Sequence, residues 1–462
     1  MHQMKIKFII VVAALMQISQ MYSNVVLPAI FADNMVLQRN ADVAIWGWAK
    51  PGETVKISSS WDVAEYSVTP NNRGFWKTTI LTNEKKGSQE LVIEGYNKIT
   101  LKNILLGEVW LISGQSNMEW SAAAGIENGE RAIQNSKNDS IRFFTVNHKT
   151  ARFPQDDLNG SWVGSKPETM KNFSAVAYFF AQKLNKELQV PVGLIGSTWG
   201  GTPAETWVPK HAIERDSILV KAAGLLPETE WGPKEPGSIY NAMIHPIMNF
   251  KIAGVLWYQG ESNTVNSQYY EKMFTTLIES WRVQFNEIIP FYFAQIAPYK
   301  YETEFSGVQI RDAQRRALRL AKTGMVVTSD IGNINDIHPK NKKDVGIRFA
   351  NLVMADKFKK EIKAYPPLIQ KATSDKNKII LNFSNAELLH IDKNNKASQF
   401  EIAGADKVFQ PVDFKIKDNQ IFLKKGKLEH PLFVRYSWAN SSIPNIFNGT
   451  GLPTSSFTIK IE

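Results

Sequence analysis

The segment GEVWLISGQSNMEW at residues 107–120 constrains the fold of this chain more than any other. Its β-branched and aromatic run at 109–112 reads as a buried strand. The run stops at Ser113-Gly114-Gln115-Ser116-Asn117, where small and polar residues force a sharp exit. Ser116 therefore lies just past a strand's C-terminal end, the place where open α/β sheets put their reactive groups. Read alone, the same serine serves as the cap of the next helix.

Three further segments share the pattern. Residues 193–202 (GLIGSTWGGT) form an apolar strand running into a glycine pair, and residues 255–263 (VLWYQGESN) form one running into polar residues. Residues 325–330 (MVVTSD) make a fourth strand, followed by Asn335-Asp336-Ile337-His338-Pro339. Four strand ends thus supply a serine, paired glycines, an asparagine and a histidine, which are the parts of a serine esterase: nucleophile, base and oxyanion donors.

At these residues the chain resembles the SGNH hydrolase superfamily and, within it, the sialate O-acetylesterase family. The likeness is carried by GQSNMEW (114–120), STWGGTPAETW (197–207), WYQGESN (257–263) and NDIHPKNKKDVG (335–346), which occur in the family's order. Flanking stretches such as LPAIFADNMVLQR (27–39) and VRYSWAN (434–440) extend it over nearly the whole mature chain. The resemblance implies an α/β fold: a three-layer, flavodoxin-like α/β/α hydrolase domain with flanking β-sandwich regions. It also implies a carbohydrate O-acetylesterase that removes O-acetyl groups from sialic acids through a Ser-His acyl-enzyme, with no cofactor and no metal. Two other readings stay open. One is the same chemistry on an acetylated xylan or mannan, and the other is a non-catalytic carbohydrate-binding protein, since β-sandwiches commonly bind glycans.

A serine hydroxyl needs a neighbouring base to attack at neutral pH. Of the seven histidines, His338 follows the last strand's C-terminal end, whereas His245 precedes the third strand and falls near its wrong end. His338 is the expected base. A base needs a partner on its other ring nitrogen. The superfamily has an aspartate three residues before the histidine, but Asn335 stands there and Asp336 comes two before, so either Asp336 or a backbone carbonyl fills that role. Asp330 and Glu261 are lesser candidates. The resemblance assigns the oxyanion donors to the N–H of Ser116, a backbone N–H of Gly200 or Gly201, and the side-chain amide of Asn263. Gln115, Trp199, Gln259 and Glu261 are expected to frame the substrate pocket.

With 462 residues the chain is expected to divide into two or three domains. The formal charge of +10 comes from scattered basic residues, which suits a solvated face better than a nucleic-acid partner. The expected partner is an O-acetylated sugar or glycan. Lys5 and Lys7 followed by the apolar run 8–16 match an export signal, too short for a comfortable membrane span, and cleavage near Ser23 would leave a secreted or periplasmic protein without membrane insertion. The chain has no cysteine and hence no disulfide. Residues 24–105 alternate in period two and read as a β-sandwich, 106–365 alternate strands with helices as the hydrolase domain, and 366–462 return to β structure. The segment 206–245, rich in Pro, Gly and Trp, is either a lid or a surface insertion with a short helix at 209–224.

Overall fold

The computed structural model describes residues 24–426 and 428–462; residues 1–23, which carry the expected export signal, lie outside the described residues. One strand, β1 (Lys98–Gly114), organises the molecule. Its first half pairs antiparallel with Gln89–Glu94, and its second half lies parallel between two later strands. The expected junction at 105/106 therefore falls inside a continuous strand, because the apolar run that enters the central sheet begins before the N-terminal β region has ended. Buried residues from both regions, Val43, Trp76 and Ile93 among them, share one hydrophobic core with Val109 and Leu111.

The strands that build the central sheet after β1 are β2 (Asn138–Thr145), β3 (Trp162–Ser165), β4 (Val192–Thr198), β5 (Gly254–Tyr258), β6 (Phe291–Ala294) and β7 (Thr323–Val326). They lie in the order β7-β6-β5-β1-β4-β2-β3, all parallel except for β3 at the edge. Without β2 and β3, the order by sequence is the 2-1-3-4-5 of a flavodoxin-like sheet, whose ligand crevice opens at the C-terminal ends of the first and third strands. Here those are β1 and β5. Five helices frame the site: the short α1 (Ser116–Glu119), α2 (Ala175–Leu188), α3 (Tyr270–Phe285), α4 (Ser306–Ala317) and α5 (Lys342–Asp356). The four long ones match the amphipathic stretches that the sequence shows at about 172–189, 267–285, 307–322 and 342–361 to within a few residues, except that α4 and α5 end about one turn early. Among the described residues no helix is long and apolar enough to cross a membrane.

The C-terminal region folds into antiparallel sheets, with Leu368–Asp375, Lys378–Ser384, Gln420–Lys424 and Phe414–Lys417 in one and Phe400–Ala403, Phe433–Tyr436 and Phe457–Lys460 in another. Ile379, Leu381, Leu423, Tyr436 and Phe457 fill the core between them. A buried cation docks this region onto α4, beside the central sheet. Arg311 of α4 is fully buried and donates to the carbonyls of Ala439 (2.6 Å) and Asn440 (3.1 Å), while burial pulls its pKa down to about 10. Arg311→Met deprives both carbonyls of their donor at a cost of about 1–3 kcal/mol each. The variant should unfold at lower temperature in a calorimetric scan, and an unchanged melting profile would remove Arg311 from the docking interface.

Candidate active site

The end of β1 is held too tightly to wander. Gly114 has φ +133°, and a Cβ there would lie 2.2 Å from the Tyr258 carbonyl oxygen, so only glycine lets β1 and β5 approach this closely before the turn. The Gln115 N–H then donates to that same carbonyl at 3.0 Å. Ser116 opens α1, and its N–H consequently has no intrahelical acceptor. The structure brings the expected nucleophile and base together: Ser116 Oγ lies 2.8 Å from His338 Nε2, across 222 residues of sequence. The imidazole stacks on Trp120, with ring centroids 4.4 Å apart. Burial and then the Lys342 ammonium hold the pKa of His338 below the usual histidine value, against an opposing pull from Asp336. A base kept proton-free near neutrality is what activation of a serine requires.

Asp336 meets the base by a different route from the one expected. Its Oδ1 accepts the backbone N–H of His338 at 2.9 Å, so the carboxylate shapes the loop rather than capping the ring. Asn335, in the superfamily's aspartate position, accepts from Lys300 Nζ instead. Asp330 forms a two-point salt bridge with Arg348, and the His245 ring bonds to the Gln155 carbonyl.

A cleft of about 640 Å³ opens over Ser116 and His338, lined also by Gln115, Glu119, His148, Trp199, Gly200, Gly201, Trp231 and Glu261. Gln115, Trp199 and Glu261, three of the residues expected around the substrate, line this cleft. The Gln115 Oε1 accepts from the N–H groups of Gly260 and Ser262, which leaves its amide N–H₂ as the end free for a ligand. Gln259 does not frame the cleft. It is fully buried beneath it, with its amide bonded to Asn263 Oδ1 (2.7 Å) and its oxygen to the Tyr270 hydroxyl.

The two glycines serve different ends. A Cβ at Gly200 would sit 3.3 Å from that of Ser116, whereas Gly201 has φ +72° and lies against the Trp231 ring. The Gly200 N–H donates to Glu119 Oε2 at 2.6 Å, and the other Glu119 oxygen takes a bond from His148 Nε2 at 2.8 Å. His148 also meets the Thr198 carbonyl and stacks on Trp199 at 4.4 Å, and the Glu119 bond raises its pKa. The sequence hid Glu119 and His148. His148 follows β2, a strand whose alternation is too weak to recognise beside its neighbours, and Glu119 reads simply as a polar residue of a helix. Trp231 belongs to the 206–245 segment, which has two short helices, Lys210–Glu214 and Ser217–Ala223, and supplies one wall of the cleft.

Asn263 corrects the expected oxyanion set. It is fully buried, both hydrogens of its amide are committed to Glu205 Oε2 (2.8 Å) and Asn266 Oδ1 (3.1 Å), and its oxygen accepts the Ala204 N–H at 2.9 Å. No donor is left over for a substrate. The reason is Glu205, a carboxylate buried deeply enough for its pKa to be raised, whose oxygens must find hydrogen-bond donors in the interior.

Residues 106–355 match the family described as carbohydrate esterase, sialic acid-specific acetylesterase. The chain belongs to this family. It is similar to the sialate O-acetylesterase of Mus musculus, at 30% identity over 391 residues covering 69% of this chain and 71% of the relative. It is also similar to the Homo sapiens sialate O-acetylesterase, at 29% identity over 80% of this chain and 78% of the relative. A solved carbohydrate acetylesterase from Xanthomonas citri superposes with a TM-score of 0.85 at 31% identity, over 94% of this chain and 99% of that one. As a member of this carbohydrate esterase family the protein is an ester hydrolase acting on acetylated carbohydrate.

The position of Asn263 in this acetylesterase is testable. Asn263→Ala leaves a buried carboxylate and the Ala204 N–H short of partners, which costs about 1–3 kcal/mol per group. Stability should fall while kcat of the folded enzyme changes less than about tenfold, because losing a true oxyanion donor costs roughly 10²–10³. Thermal melting measured beside steady-state kinetics separates these, and a kcat collapse at unchanged melting temperature would return Asn263 to the oxyanion hole.

Proposed function

We propose that this esterase releases acetate from O-acetylated sugars through an acetyl-Ser116 intermediate with His338 as the base. The 2.8 Å contact between Ser116 Oγ and His338 Nε2 at the mouth of the cleft carries this reading. As Oγ bonds to the acetyl carbonyl carbon, its proton passes to Nε2. The tetrahedral adduct collapses, the bond between the carbonyl carbon and the sugar oxygen breaks, and His338 returns the proton to that oxygen. Water then adds to the acetyl-serine with His338 again taking a proton, and acetate leaves as Ser116 is restored. The Ser116 N–H and the Gly200 N–H are the proposed oxyanion donors, the latter once the adduct's oxyanion displaces Glu119 Oε2, whose side chain in the cleft wall can swing aside where buried Glu205 cannot. Gly200 already grips an anionic oxygen, that of Glu119, at 2.6 Å, the kind of load a tetrahedral adduct presents.

The sugar proposed is an O-acetylated sialic acid, a reading supported by the names of the mouse and human relatives. Export to the periplasm or the exterior is proposed from the basic and then apolar N-terminal sequence alone.

Ser116→Ala should abolish both acetate release and labelling by a serine-directed phosphonate; labelling that survives would place the nucleophile elsewhere. For the third group we propose a structural aspartate. Asp336→Asn keeps an oxygen for the His338 N–H but loses the charge that raises the pKa of His338. The base then sheds its proton more easily, so the acid limb of kcat/KM should move to lower pH. At the plateau kcat should fall less than about tenfold, where loss of a ring-orienting carboxylate costs on the order of 10⁴. A loss of that larger size would put the carboxylate on the ring.

A further inference from the structure

Lys342 has no part in the chemistry just described, yet it lies directly behind it. The residue is 1% exposed, which is a costly place for an ammonium, and an apolar side chain of similar volume would pack there at no such penalty. Its Nζ donates to Asn117 Oδ1 at 2.6 Å and lies 5.3 Å from the centroid of the Trp120 ring, the ring on which His338 stacks, and 6.0 Å from that of Tyr258. The amide N–H₂ of Asn117 points the other way, to Glu261 Oε1 at 2.6 Å and to the Ile337 carbonyl at 2.9 Å. Asn117 follows the nucleophile and Ile337 precedes the base. The amide is therefore a stitch between the two loops, and it works in only one orientation: oxygen toward Lys342, nitrogen toward Ile337.

The charges around the stitch are few. Glu261 has one oxygen, Oε2, with no hydrogen-bond partner, and its carboxylate together with that of Asp336 favours the charged form of Lys342. Burial works against them and brings the Lys342 pKa down to about 7. On the imidazole, Lys342 and Asp336 pull in opposite directions.

We propose that Lys342 is a positioning residue for the deacetylation reaction: it fixes the Asn117 amide in the orientation that ties the Ser116 loop to the His338 loop. This role rests on the Ser116–His338 reading and adds to it a requirement for a buried positive charge. A neutral side chain of the same volume would fill the space but neither orient the Asn117 amide nor act on the ionisation of His338.

The test uses the full chain and 4-nitrophenyl acetate across a range of pH, with active sites counted by phosphonate titration. Lys342→Met should lower kcat roughly ten- to a hundredfold, as a slightly misplaced catalytic pair does, with KM little changed. Removing the cation raises the pKa of His338, so the acid limb of kcat/KM should move up by roughly half a pH unit or more. Counting active sites at each pH takes the folded fraction out of kcat/KM, so a destabilised variant still answers. Rescue provides the second measurement. Because the chain has no cysteine, Lys342→Cys can be alkylated selectively with 2-bromoethylamine while unfolded and then refolded, which rebuilds a lysine-like cation with sulfur in place of one methylene. The alkylated enzyme should recover the wild-type limb and the unalkylated one should not. A Met variant with the wild-type limb, or an alkylated enzyme that keeps the displaced one, would overturn the proposal. Turnover by Ser116→Ala would instead show that the Ser-His reading had failed.

Discussion

The site depends on the immobility of one strand end. β1 is hydrogen-bonded on both sides over its second half, and its last eleven residues are buried. No shift of register or tilt is available to it without breaking two ladders. Gly114 carries that rigidity into the turn by packing against the Tyr258 carbonyl, so the position of Ser116 is settled by main-chain geometry before any side chain contributes. Catalysis by fixed dipoles needs such a frame, because donors that must reorganise during the reaction lose most of their advantage.

Beneath the cleft a layer of buried polar side chains does for the loops what the sheet does for the strand. Glu205, Asn263, Asn266 and Gln259 bond to one another and to the main chain at Ala204, Thr202 and Ala222. Asn117, Glu261 and Lys342 form a similar group beneath the nucleophile. Both groups hold carboxylates in low-dielectric surroundings, where every available N–H is drawn inward. The cleft itself is then left with main-chain donors, the Gln115 amide, the Ser116 and His338 pair, Glu119 with His148, and aromatic walls.

The parts of this structure legible in the sequence were those written as local pattern. The strand runs at 109–112, 193–198, 255–258 and 325–326 and the four long helices follow from apolar periodicity, and the ordered motif blocks brought Ser116 and His338 to the same sheet edge. Side-chain direction was not legible. Asn263 and Gln259 occupy motif positions at a strand end, but whether an amide faces the cleft or the interior depends on Glu205, about 60 residues away in a different motif block, and neither block says which side chains meet. The partner of Asp336 is likewise decided by a local turn, in which its carboxylate reaches the main-chain N–H of His338 first. Neither β2 nor the run of β1 through the 105/106 junction could be anticipated, since pairing partners are a property of the sheet and not of either segment.

The bond between Glu119 and Gly200 sets a condition on the end of the reaction cycle. Acetate is itself a carboxylate and can make the bond that Glu119 makes. A free acetate arriving at Gly200 must displace a competitor that is tethered a few residues from the nucleophile and held in place by His148. Tethering gives that competitor a high effective concentration regardless of how much acetate accumulates outside. The same tethered carboxylate faces the oxyanion of the tetrahedral adduct, so one side chain governs both how the Gly200 donor is loaded during the reaction and how it is cleared afterwards.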